Sequence, residues 1–407
     1  MSSLSASTLW HPRKKPLLVR GTNIIPDDVL LSNIFIRLAA KQLAQMRSLS
    51  KTWNSRLSHP SFIKSHLDHS KDTNDEILMV FQNSYISEIT PFTTHTTPDL
   101  QLTNSVNVHM NSSSAYGHFV GAVNGLICLF SNGVFKIWNP SLSSLIALPP
   151  YTFDSDEDDI TFNHRFGFDP KTNDYKVIKL TYNSSVDDNI AYNWFPVEVF
   201  SVLKGSWESI TERFPSHVET ILNMNEFVVD GYDGRLHYLC RVNYGAERKK
   251  VTIVAFDLGD ETFSEIVLPD SVQNYSRAME VGVLSKKLCV MSGLRNGGCE
   301  VWVMENYGVV TSWVKCHVIS KYKGHDIYPI GFTSNNQFLF AHGIHLSLYD
   351  PEASTFRDFK DAQPFTNLVT VVQYVDSLVW VTAAKWAYND VSKSSSQIEK
   401  KQHLLDG

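Results

Sequence analysis

Apolar residues are spaced in two different ways along this chain. Between Ile25 and Leu67 they recur at helical intervals, and from Glu76 onward they alternate or gather in short runs. Leu30, Leu31, Ile34, Phe35 and Leu38 mark one helical face, and Asp27 and Asp28 place negative charge where a first turn favours it. A second helical piece carries Leu43 and Met46. A third sets Leu49, Trp53 and Leu57 one turn apart, and a fourth opens at Pro60 with Phe62, Ile63 and Leu67. So short a segment has more large apolar side chains than it can bury internally. It therefore either caps the domain that follows or docks on another polypeptide, and the pattern alone does not choose.

The rest is β. Ile77–Phe81, Gly125–Leu129, Val197–Phe200 and Thr370–Val372 read as strands, and Asn124-Gly125, Asn132-Gly133, Asp230-Gly231, Asp233-Gly234 and Asn296-Gly297 as turns. The units repeat as strand, turn, strand, turn, strand. One runs from Asn124 through Trp138-Asn139-Pro140 to Pro149, and another from Asp233 through Phe256-Asp257 to Pro269. Others begin near Tyr175, Lys287 and Gln337, at a spacing of roughly fifty residues, the period of kelch-type blades. Small sheets of this kind bury their faces only against one another, so the expected fold is a six-bladed β-propeller, with a β-sandwich as the alternative. The sixth blade is expected around Asp376–Trp380, borrowing strands from Glu76–Ile89. The expected organisation is a flexible leader (1–21), a helical domain (22–67), the propeller (75–386) and a Ser/Lys/Glu-rich disordered tail (389–407).

Composition narrows the chemistry. The 407 residues are 43% hydrophobic and 12% aromatic, enough for a substantial core. A formal charge of −6 and two small basic clusters, Arg13–Lys15 and Arg248–Lys250, do not make the basic stripe expected of a nucleic-acid binder. Five cysteines without C-x-x-C spacing read as buried small hydrophobes in a reducing compartment. No run approaches the roughly 18 apolar residues of a membrane span, and Met1–Lys15 has no apolar core of a secretory signal. The expected location is cytoplasmic or nuclear.

The segments Ile25–Leu30, Arg37–Leu43, Ser50–Asn54 and Pro60–Leu67 resemble the plant F-box proteins that carry a C-terminal F-box-associated or kelch-like domain, a group that includes the S-locus F-box proteins. So do Val123–Leu126, Trp138-Asn139-Pro140, Phe166–Pro170, Asn173–Val177 and Val197–Ser201 ahead of Trp207. Each motif is weak alone; their joint order is specific. The resemblance implies a non-catalytic substrate receptor of a Skp–cullin–F-box ubiquitin ligase, needing no cofactor. It would place Ile25, Pro26, Leu30, Ile34, Leu38, Leu43, Leu49 and Trp53 against a Skp-type adaptor, itself joined to a cullin scaffold. The chain departs from the family where Leu38-Ala39 replaces Leu-Pro, which is expected to soften the break between helices. Gln45, Met46, Ser50 and Ile25 also replace usual residues.

A target protein would meet the propeller loops. Candidates are Asp156 and Asp158 in the acidic run Asp154–Asp159, Trp194 in Tyr192–Phe195, and Tyr322 near His325 and Tyr328. The acidic run is no calcium loop: it has no glycine at the sixth position, and Arg165 stands where a bidentate glutamate belongs. A solvated acidic loop is the plain alternative, as a strand start is for Trp194. His66/His69 and His342/His345 have no third ligand nearby in sequence, so no metal site is expected. A propeller enzyme with convergent histidines and acids in its channel is the competing class, although no nucleophile or phosphate-binding motif supports it.

Overall fold

A computed structural model describes residues 26–73, 77–82, 89–96, 100–109, 117–131, 133–151, 160–183, 196–222, 233–242, 250–273, 278–333, 335–343, 345–359 and 369–382. Helix α1 (Asp27–Val29) continues through a wide π turn (Leu30–Ile34) and a 3-10 turn (Phe35–Arg37). It is followed by α2 (Ala40–Arg47), α3 (Lys51–Leu57) and α4 (Pro60–Asp72). These helices form a small hook at one side of a ring of six antiparallel four-stranded sheets.

The first blade contains β1 (Ile77–Gln82), β2 (Ile89–Thr96) and β3 (Gln101–His109). The second contains β4 (Gly117–Val123), β5 (Leu126–Ser131), β6 (Val134–Asn139) and β7 (Ser144–Ala147). The third comprises β8 (Ile160–Asp169), β9 (Asp174–Asn183), β10 (Glu198–Ser201) and β11 (Ser206–Ser209). The fourth comprises β12 (Val218–Ile221), β13 (Arg235–Val242), β14 (Lys250–Asp257) and β15 (Thr262–Val267). The fifth has β16 (Met279–Leu284), β17 (Lys287–Gly293), β18 (Cys299–Met304) and β19 (Trp313–Ile319). The sixth has β20 (Ile327–Phe332), β21 (Phe338–His342), β22 (His345–Asp350) and β23 (Thr355–Asp358).

The last strand, β24 (Val369–Tyr374), returns to the first blade and pairs with β1 from Gln82↔Val369 to Ile77↔Tyr374. It occupies the innermost position there and lies against β4. The ring is thus closed by both ends of its own sequence, which removes an open sheet edge. This corrects two sequence expectations. Blades two to six each have a fourth, inner strand ahead of the recognised three-strand unit, and the first takes its inner strand from β24. Asp376–Trp380 is not a strand; it is a strap laid beyond the end of β24.

The blades share local devices. Asn139, Asp169, Asp257 and Asp350 each end a strand and turn the chain by accepting backbone N–H groups two or three residues ahead. Two outer-strand tryptophans staple a blade to its predecessor: Trp207 Nε1 donates to Pro149 O at 2.9 Å and Trp313 Nε1 to Val267 O at 3.1 Å. Between blades lie apolar layers such as Ile178, Val199, Leu236, Tyr238 and Val254 between the third and fourth. Four of the cysteines are buried in such layers, and Cys316 is exposed on β19.

Candidate functional site

The hook is ordered by its own caps. Pro26 precedes α1, whose Asp27 carboxylate meets Arg56 of α3 at 2.8 Å. Ser50 Oγ accepts from Trp53 N at 3.1 Å and caps α3. The break before α2 is kept without proline. Leu38 and Ala39 are both extended, with ψ near 148° and 142°, and the N–H that proline would lack donates to Gln42 Oε1 at 3.2 Å. The expected softening at Ala39 therefore does not occur. His66 is buried and its Nε2 donates to Leu38 O at 2.9 Å, so this nitrogen serves the fold.

The structure divides the anticipated docking residues. Ile25 lies outside the described residues. Leu43 is fully buried with Phe35, Ala40, Leu57 and Phe62, so it builds the hook's core instead of its outer surface. Leu30, Leu38 and Trp53 are partly buried against that core, Trp53 meeting Phe35 edge-on at 5.1 Å. Pro26, Ile34 and Leu49 are exposed, Leu49 by 74% and Ile34 by 42%. Sequence reasoning missed Val29, exposed by 41%. Val29 ends α1 just ahead of the π turn, and the wider winding of that turn separates the adjacent Ile34 and Phe35 outward and inward.

Connectors in the ring alternate between its two faces, because neighbouring strands are antiparallel. The hook sits on the face bearing the β4–β5 turn (Asn124-Gly125) and the β6–β7 turn (Pro140–Ser143). There Lys71 Nζ donates to Asn124 Oδ1 at 2.7 Å, and Asn124 Nδ2 to Tyr175 OH at 3.2 Å. Burial lowers the Lys71 pKa and raises that of Tyr175 to about 12.

Asp156, Asp158 and Trp194 lie outside the described residues, but their attachment points do not. Ile160 and Asn183 pair directly at the open end of the long β8–β9 hairpin. The described ends of β8 and β9, from which 152–159 and 184–195 lead off, therefore lie on the face opposite the hook. Tyr322, in the β19–β20 connector, belongs to that same far face. It is pinned there: its ring stacks on Phe356 at 4.0 Å, and its backbone exchanges hydrogen bonds with His325. Lys323 pairs with Asp358 at 2.6 Å beside it. The exposed aromatic neighbour is Tyr328, whereas Tyr322 is half-buried.

Some polar clusters bear on the enzyme alternative. Ser347 Oγ donates to Asp358 Oδ1 at 2.5 Å while His342 Nε2 lies 2.7 Å from Ser347 Oγ. The serine hydroxyl thus points its hydrogen bond at the carboxylate, the reverse of an arrangement in which histidine accepts from and activates serine. On the inner strands, Arg165 stands 5.3 Å over the Tyr238 ring, and burial raises the Glu280 carboxyl well above its ordinary range.

A ring of six four-stranded blades, closed by a strand from the C-terminal side and carrying a helical hook on one face, defines a six-bladed β-propeller with an N-terminal helical segment. Residues 76–375 match the family described as F-box associated beta propeller domain, and the chain belongs to that family. Similar proteins include F-box protein CPR1 of Arabidopsis thaliana, 29% identical over 315 residues covering 74% of each chain. An F-box/kelch-repeat protein of Arabidopsis thaliana is 23% identical over 305 residues, covering 70% of this chain and 77% of the other. Among solved structures, apo AztD from Citrobacter koseri aligns over 74% of this chain and 100% of its own, with 10% identity and a TM-score of 0.36.

Proposed function

We propose that this chain is the target-binding subunit of a Skp–cullin–F-box ubiquitin ligase, acting in the cytoplasm or nucleus. The hook, within 22–67, docks a Skp-type adaptor that links it to a cullin scaffold, and the propeller, within 75–386, holds a protein target. The chain performs no covalent step; it raises the local concentration of target beside the transfer machinery. The observation that carries this reading is the exposure of Val29, Ile34 and Leu49 on a hook fixed to the ring face opposite the long connectors. Large apolar anchors of this kind dominate helix-groove interfaces.

The test is titration of the full chain with a purified Skp-type adaptor by calorimetry. Ile34→Asp and Leu49→Asp are each expected to weaken binding by about tenfold or more, since a buried anchor is worth at least one decade in Kd. The melting temperature should stay near the parent's, because neither side chain belongs to the hook's core. Undiminished affinity in the double variant would overturn the assignment of this surface.

A further inference from the structure

The hook's core is not complete within the hook. Its buried centre comprises Phe35, Ala40, Leu43, Leu57 and Phe62 together with Leu378, a fully buried residue contributed by the strap that follows β24. Leu142, from the β6–β7 turn, packs on the same cluster. The N-terminus of α2 depends on the strap too. Ala39 has no side-chain acceptor, and the Ala40 N–H donates instead to Asp376 Oδ2 at 2.6 Å. A carboxylate there satisfies an otherwise open amide and complements the helix dipole.

The strap is held tightly on the ring. Asn139 Nδ2 donates to both Ser377 O at 3.0 Å and Val379 O at 2.7 Å. Ser141 contacts the Asp376 carboxylate and the Tyr374 hydroxyl. Val379, Trp380 and Val381 then enter the apolar layer of the second and third blades. This path follows from Tyr374, the end of β24, and β24 is in place only when it has paired with β1.

We infer that ring closure licenses adaptor docking: the hook reaches its binding form only after β24 seats, with Asp376 and Leu378 acting as positioning residues from the far end of the sequence. This rests on the adaptor-docking role of the hook. A chain whose propeller has not closed would present a loosened hook and be passed over by the ligase. Apparent affinity falls in proportion to the fraction of hooks in the competent form.

The experiment uses the full chain carrying Asp376→Ala, Asp376→Asn or Leu378→Ala, with two readouts. Hydrogen exchange without adaptor follows the amides of α2 and α3 against those of β13–β18. Calorimetry measures affinity for a purified Skp-type adaptor. Asp376→Ala and Leu378→Ala are expected to speed hook exchange by about tenfold or more, leave the ring amides unchanged and weaken adaptor binding by a similar factor. Asp376→Asn keeps an acceptor oxygen and should recover most of both. If Leu378→Ala does not fold, Asp376→Ala still decides, since it removes no apolar core. Hook exchange and adaptor affinity within twofold of the parent in Asp376→Ala would overturn the inference. Failure of the parent chain itself to bind adaptor would instead overturn the docking role on which it rests.

Discussion

Lys179 and Glu198 illustrate what single residues contribute to the ring. They face each other across β9 and β10 at 3.2 Å, both wholly buried, with the Lys179 ammonium also 3.9 Å from the centre of the Tyr151 ring. Removing one partner from a buried pair is far more damaging than breaking an exposed one such as Lys204–Glu208. Glu198→Ala is therefore expected to cost about 3–5 kcal/mol in chemical denaturation, whereas Glu208→Ala should cost under about 1 kcal/mol. Glu280 predicts a pH effect of definite sign. Burial raises its folded pKa, so above the ordinary glutamate range the unfolded chain releases a proton that the folded chain keeps. Stability from this group falls as pH rises toward that raised pKa. Glu280→Gln should melt higher than the parent at pH 7, with the margin vanishing near pH 4. At this scale the sequence was least informative. Lys179, Glu198 and Glu280 look like surface residues in a list of 42 acids and 36 bases, because burial arises from blades distant in sequence.

Elements were more legible. The four helical pieces and most strands follow from spacing, and Asn124-Gly125 was readable as a tight turn because both residues take positive φ, 55° and 79°. Ser285-Lys286 forms the same kind of turn at 50° and 60° without glycine or asparagine, and no composition signal marks it. The inner strand of the fourth blade was missed for a related reason. β12 spans only Val218–Ile221, too short to stand out without knowing that it lines a ring. Gly125 carries an element-level prediction. A Cβ there would lie 2.3 Å from Ser377 Cβ and 2.5 Å from Val375 O, in a backbone region that side chains disfavour. Gly125→Ala should therefore displace the strap and destabilise the chain by about 2 kcal/mol or more, read from the urea midpoint.

For the whole molecule, the six-fold repeat was readable from strand runs and turn residues, whereas the route of closure was only half readable. The expectation that the ends meet was right, but the meeting strand is Val369–Tyr374, a largely apolar run whose partner β1 lies far away along the chain. A chain ending at Leu368 should leave the β1 edge open and elute as large species by size exclusion with light scattering. A monodisperse product with the parent's melting profile would contradict the closing role of β24.

The two-faced layout has a consequence for how such proteins diversify. On the proposed function, the residues near Ile160 and Asn183 lie on the target side and Leu49 on the adaptor side, with the ring between them. On that reading, insertions or substitutions in the distal segments would leave adaptor docking undisturbed. One scaffold can change its quarry over generations while keeping its employer.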